Sequence, residues 1–140
     1  MKFVEAGLSG SGLSCIKAVR SLTFSPDEVI QQLMSTPQFP LTLDPATQSC
    51  DLVEDDALIG KSSRWAMVRF AAGIQTSMHR ANAISMNVVL SGQITLILQQ
   101  DTIVLHACDS VVLFGGCHAW ATGPEDCVMS SVAIPFQAPQ

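Results

Sequence analysis

The sequence predicts an all-β domain, a sandwich or barrel of antiparallel strands, preceded by an irregular arm with one short helix. Three observations carry this expectation. After Gly60, short runs rich in β-branched and aromatic residues recur at intervals of about ten residues, separated by Gly, Asp, Gln and Pro. The length of 140 residues suits one domain and is too short for two. Apolar residues make up 48% of the chain against 14% charged, which supplies a packed core and excludes a disordered chain.

Residues 1–60 read as the arm, part of the same domain, and carry one clear local signal. Ser25-Pro26-Asp27-Glu28 combines a capping serine, a proline at the first helical position and a glutamate three residues after the serine. Val29, Ile30, Leu33 and Met34 then fall on one helical face, which predicts a helix from Pro26 to Met34. Pro37 and Pro40 prevent its continuation, and Pro37 to Pro45 is expected to be extended or turn-like. Asp51, Glu54, Asp55 and Asp56 read as a solvated loop, since their spacing and the lack of an internal glycine do not fit an EF-hand calcium loop.

Residues 61–140 supply the barrel. Strands are expected at Arg64–Phe70, Met86–Leu90, Gln93–Leu98, Thr102–His106, Ser110–Phe114 and Cys127–Ile134. Ser91-Gly92 and Gln99-Gln100-Asp101 read as tight hairpin turns, and the last residues from Phe136 to Gln140 as a loose tail.

Composition also limits the partners. A net charge of −5 argues against nucleic acid and anionic membrane. No apolar run reaches the roughly 20 residues of a membrane span, and Glu5 and Gly7 interrupt what would be the apolar stretch of a signal peptide. Five cysteines, Cys15, Cys50, Cys108, Cys117 and Cys127, are an odd number without CxxC spacing, so reduced thiols in a cytoplasmic protein are expected. A surface this poor in charge implies that some apolar area lines a cavity or is covered by a second copy, and a homodimer is expected.

Two stretches carry chemistry. One is Gly73-Ile74-Gln75-Thr76-Ser77-Met78-His79, running on to Val88-Val89-Leu90-Ser91-Gly92; the other opens at Asp109 and ends in Cys117-His118-Ala119-Trp120. Together they resemble the two signature motifs of the cupin family. Gly73, His79 and Gly92 fall on the first motif's opening glycine, first histidine and closing glycine. Ala81 and Ser85 stand where its second histidine and its glutamate would be. His118 matches the histidine of the second motif, whose usual Gly-Asp opening is Cys108-Asp109 here, whose proline is absent and whose asparagine is replaced by Thr122. The wording His79-Arg80 and His118-Ala119-Trp120 is similar to small single-domain cupins found beside fungal natural-product pathways. The resemblance covers residues 64–135 and implies a cupin-like jelly roll (a double-stranded β-helix) that holds a metal or a small molecule inside.

The residues themselves say what kind of interior this would be. Strand side chains alternate faces, so if His79 points inward, Ala81, Ser85, Asn87 and Val89 do too, while Arg80, Met86 and Val88 face away. From His118 the same rule sends Trp120 and Thr122 inward. Two imidazoles, an indole, a carboxamide and hydroxyls among aliphatic groups suit a small, mostly apolar ligand fixed by a few polar contacts. Trp65 reads equally as core or pocket, and Arg69 equally as a surface arginine or as a group recognising an anion or carbonyl in the barrel. His106 matches no motif position and reads as a surface or loop residue, and Asp109 reads as a turn residue.

A transition metal in such a barrel takes about three or four N or O ligands, and two histidines leave that shell half empty. No cofactor is therefore expected, a divalent metal at His79 and His118 being the alternative. The function expected is a metal-independent enzyme that cyclises, dehydrates or isomerises a small metabolite in natural-product biosynthesis. His118 would move or donate the proton with His79 as its partner, and Asn87 or Ser85 would bond a carbonyl or hydroxyl. Trp120, with Thr122, Arg69 and Trp65, would shape and bind the substrate. The alternatives are a metal-dependent oxygenase or decarboxylase and a non-catalytic small-molecule binding protein.

Overall fold

A computed structural model of the chain describes residues 1–23, 33, 63–80 and 82–136. Apart from Leu33, the expected helix from Pro26 to Met34 lies outside these residues. So do the Pro37–Pro45 segment, the acid cluster at 51–56, Cys50, Ala81 and the tail from residue 137.

The described residues form ten strands: β1 (Lys2–Leu8), β2 (Ser14–Ser21), β3 (Arg64–Phe70), β4 (His79–Arg80), β5 (Ala83–Ser91), β6 (Gln93–Leu98), β7 (Thr102–His106), β8 (Ser110–Phe114), β9 (Cys117–Thr122) and β10 (Cys127–Pro135). They make two sheets, a six-stranded one in the order β2-β1-β8-β5-β10-β3 and a four-stranded one in the order β4-β9-β6-β7. All neighbours pair antiparallel except β1 and β8, which run parallel. This is the all-β jelly roll that the strand spacing predicts.

The first 23 residues correct the expectation of an irregular arm. β1 and β2 form a hairpin, and β1 is an interior strand of the larger sheet. The opening of β2 is fastened to the smaller sheet: the Ser14 hydroxyl donates to the Cys117 carbonyl at 2.6 Å and accepts from the Gln99 N–H at 2.9 Å, and the Ile16 N–H donates to an Asp101 carboxylate oxygen at 2.8 Å.

A second correction concerns Ser91-Gly92. The strands it joins, β5 and β6, belong to different sheets, so it is a corner rather than a hairpin turn. Gly92 has φ +75°, and a Cβ there would lie 2.2 Å from the Asp126 carbonyl oxygen. Positive φ and this close approach both demand glycine. Gln99 to Asp101 does close the β6–β7 hairpin, with the Leu98 N–H donating to the Asp101 carbonyl at 2.8 Å.

The sheets face each other across an apolar interior. Val4, Ala6, Val89, Val111, Leu113, Cys127 and Met129 come from the larger sheet, and Ile94, Leu96, Leu98, Leu105 and Trp120 from the smaller. The larger sheet is also covered on its outer face, where Phe3, Ile84 and Val112 form a second cluster with Leu22, Leu33, Met86, Phe114, Ile134 and Phe136 packed on it.

Cys117 is disulfide-bonded, while Cys15, Cys108 and Cys127 are free thiols. The expected set of reduced cysteines is therefore corrected, and the argument for a reducing compartment loses its support. Among the described residues no helix is long and apolar enough to cross a membrane.

Candidate functional site: a paired-histidine barrel end

The site is assembled by β9 and the segment that runs beside it. From Ile74 to Arg80 the chain is zippered onto β9. The Thr122 N–H donates to the Ile74 carbonyl at 2.9 Å and the Thr76 N–H to the Trp120 carbonyl at 2.8 Å. The side chains add to this: the Ile74 N–H donates to the Thr122 hydroxyl at 3.0 Å, and the Trp120 N–H donates to the Thr76 hydroxyl at 2.9 Å. The zipper ends where His79 pairs directly with His118 in the β4–β9 ladder. Direct antiparallel partners share a face, so the two rings meet.

Their ring centroids are 4.4 Å apart at an interplanar angle of 58°. Each ring is fixed in the same way, by a backbone carbonyl two residues earlier: His79 Nδ1 lies 3.0 Å from the Ser77 carbonyl oxygen and His118 Nδ1 lies 3.2 Å from that of Gly116. A carbonyl oxygen only accepts, so a neutral ring must carry its hydrogen on Nδ1 and leave the Nε2 lone pair available. Trp120 stands edge-on to His118 at 5.9 Å and tilts against Phe70 at 6.3 Å, forming the apolar wall behind the pair.

His118 is 6% exposed. Burial, reinforced by the charge of His79, pushes its pKa from 6.5 down to about 4 against the raising effect of the Gly116 carbonyl. His118 is therefore neutral at neutral pH. Of the two parts expected of it, moving or donating the proton, this state suits moving one through the Nε2 lone pair.

Strand registers place the other expected residues. Ser85 pairs with Leu113 and Ala133, and Asn87 with Val111 and Ser131. Leu113 and Val111 belong to the interior cluster, so Ser85 and Asn87 share the barrel face. β8 leads through Gly115 and Gly116 into β9, which sets the Leu113–Ser85 level of the larger sheet at the His118 end of the barrel. Asn87 is 4% exposed, and its amide nitrogen has no hydrogen-bond partner.

Thr122 faces inward as alternation requires, but its hydroxyl is occupied, donating to the Ala71 carbonyl at 2.6 Å besides accepting from Ile74. It helps to position the zipper.

Of the two readings open for Arg69 the surface one holds, while Trp65 belongs to neither core nor pocket. Phe70 packs into the interior, so Trp65, Met67 and Arg69 point the other way from β3. Trp65 is 78% exposed, with its indole N–H on the Ser130 hydroxyl at 2.8 Å. Arg69 forms an exposed ion pair with Asp126, whose other oxygen caps the Ala72 N–H. The inner face of β3 carries Arg64 instead, in register with Ala133, and the sequence reading did not single it out.

His106 is exposed, in keeping with a surface residue. Asp109 is more than a turn residue, because it accepts the backbone N–H groups of Lys2 and His106, both at 2.8 Å. Burial raises its pKa, but these bonds and the Lys2 ammonium outweigh burial and leave it below the usual carboxylate value.

The donor set for a metal is short. Among the described residues no group of three or more His, Cys, Asp or Glu side chains is placed to hold an ion. His79 and His118 alone do not meet the three or so ligands of a catalytic metal site.

No protein-family model matches the sequence, and no curated protein matches it. Solved structures do. A cupin superfamily protein from Desulfitobacterium hafniense superposes with a TM-score of 0.50 at 18% identity, over 54% of this chain and 70% of its own. The DMSP lyase DddQ from Ruegeria pomeroyi gives a TM-score of 0.50 at 18% identity, over 58% of this chain and 42% of its own. At such identity the likeness concerns architecture alone, and the architecture that this chain shares with them over just over half its length is the cupin barrel.

Proposed function

We propose that the barrel binds a small, mostly apolar metabolite and cyclises, dehydrates or isomerises it without a metal, as a step in natural-product biosynthesis. The observation that carries this reading is the histidine pair, two imidazoles in contact with both Nδ1 atoms engaged by backbone carbonyls. His118, neutral and buried, accepts a proton or hydrogen bond from the substrate through Nε2. Its charged form gains stability only when a negative charge develops beside it, so the pair responds to the reacting state rather than to the free ligand. His79 is half-buried and within ring contact, and it exchanges the proton with solvent. Trp120 and Phe70 hold the apolar body of the substrate against the pair, and a ring-closing conformer held there reacts faster.

The test compares metabolites of a producing strain carrying the wild-type gene with those of a His79→Ala/His118→Ala strain. The variant is expected to accumulate a precursor of the same mass as the product, or heavier by one water. Unchanged product levels overturn the proposal. So does activity of the purified protein that a chelator abolishes and a divalent ion restores.

The low basicity of His118 also favours a second reading, a binding protein that holds its metabolite unchanged. Recovery of a bound compound that wild-type protein never converts would decide for it. The proposal further includes a homodimer built through β3, the edge strand of its sheet among the described residues, with Trp65 78% and Met67 62% exposed. Light scattering should give twice the chain mass, and Trp65→Asp should halve it.

A further inference from the structure

We infer that Asn87 anchors a carbonyl oxygen of the ligand, so that the barrel takes a compound with a carbonyl at one end and a hydroxyl at the other. This deepens the function proposed above and rests on it.

Asn87 is the one buried side-chain polar group, among the described residues, with an atom lacking a hydrogen-bond partner. That atom is its amide nitrogen, a donor. On the barrel face its neighbours are Ser85 and Val89 along the strand and Val111 and Ser131 across it, and neither serine hydroxyl takes up the amide hydrogens. A buried donor without a partner is costly, whereas leucine has nearly the same shape and carries no such penalty. Packing therefore gives no reason for a carboxamide here, and a ligand acceptor does.

The facing sheet presents the opposite chemistry. Ser77 and Gly116 hold the Nδ1 sides of His79 and His118, leaving Nε2 lone pairs that call for a donor. Asn87 stands on the larger sheet and the histidine pair on the smaller, so a ligand held between the sheets would meet a donor on one side and acceptors on the other. Trp120, Phe70 and Leu98 supply apolar surface to the same interior. A hydroxyl at that end can donate to an Nε2 lone pair and a carboxylate cannot, so the ligand end at the histidines is a hydroxyl, for example of a phenol or an enol.

The probe is para-hydroxyacetophenone, with acetophenone, phenol and benzoate as partial mimics. The chain has two tryptophans, so a Trp65→Phe background leaves Trp120 as the fluorescent reporter. Quenching should show para-hydroxyacetophenone binding about tenfold tighter than acetophenone or phenol, the worth of one hydrogen bond, and benzoate weakest. Asn87→Leu should weaken para-hydroxyacetophenone and acetophenone about tenfold, leave phenol unchanged and raise the Tm. The gain in Tm excludes misfolding as the cause of the loss. His118→Leu should weaken phenol and leave acetophenone unchanged.

If Asn87→Leu binds every probe as the parent does, or lowers the Tm without changing the order of affinities, Asn87 is structural and the inference falls. Phenol binding that still depends on His118 would then leave the proposed function standing. Benzoate binding tightest, or no quenching by any probe, overturns the ligand class itself. Phenol binding indifferent to His118 overturns the reading of the histidine pair beneath it.

Discussion

His118 and Asn87 are polar side chains buried in the same barrel, and each leaves a different trace in the energetics. For His118 the trace is a dependence on pH. Between pH 6.5 and about 4 the unfolded chain takes up a proton at this residue and the folded chain does not. Stability therefore falls as pH falls through that window, by about 3 kcal/mol in total, and this group adds no further loss below it. Urea unfolding at pH 7 and pH 4.5 should show the drop, and His118→Gln should flatten it. Asp109 acts lower on the scale. Its depressed pKa gives stability that is present above its unfolded value of 3.8 and lost as pH falls below it, so Asp109→Asn should remove a separate, more acidic limb.

At the scale of elements, the site is a product of strand pairing. The Thr76 hydroxyl accepts the Trp120 N–H at 2.9 Å and holds the chain in step with β9 three residues before His79. Thr76→Val should cost about 1 kcal/mol of stability. It should also loosen the ring pair, seen as a rise in the His118 pKa by NMR titration, whereas a purely structural role would change stability alone. Gly92 is the strictest position in the connections, because the corner it makes brings it against the Asp126 backbone. Gly92→Ala should cost more than about 3 kcal/mol and leave little folded protein in a denaturation assay.

These elements also show why the sequence was legible in some places and opaque in others. β6 and β7 alternate between interior and outer side chains, and their bounds follow from the residue pattern alone. β1 does not alternate, because both its faces are covered: Val4 and Ala6 face the interior while Phe3 packs on the outer cluster. A strand buried on both sides loses the period-two signal. β4 is two residues long and exists only because β9, nearly forty positions later, pairs with it. The inward turn of His79, Ser85 and Asn87 follows from alternation, since one motif histidine fixes the parity. Parity in β3 had no such anchor. Arg-Trp-Ala-Met-Val-Arg-Phe offers large apolar groups on both faces, and only the packing of Phe70 decides that Trp65 and Arg69 look outward.

For the whole molecule, the two apolar clusters make the larger sheet the middle of three layers, with the smaller sheet on one side and the outer cluster on the other. Damage to the interior should spread to both sheets. Leu96 is fully buried at the centre of β6, and Leu96→Ala should cost roughly 2–5 kcal/mol by leaving a cavity. A single cooperative transition with an unchanged denaturant slope would show that the layers still melt together.

The parallel pairing of β1 with β8 has a kinetic consequence. Phe3 to Ala6 find their partners at Ser110 to Leu113, so β1 cannot complete its pairing until a strand far later in the chain has been made. With that much non-local pairing, refolding should take milliseconds to seconds rather than microseconds. Until β8 arrives, the nascent hairpin keeps an unsatisfied backbone edge and is the segment most in need of a chaperone.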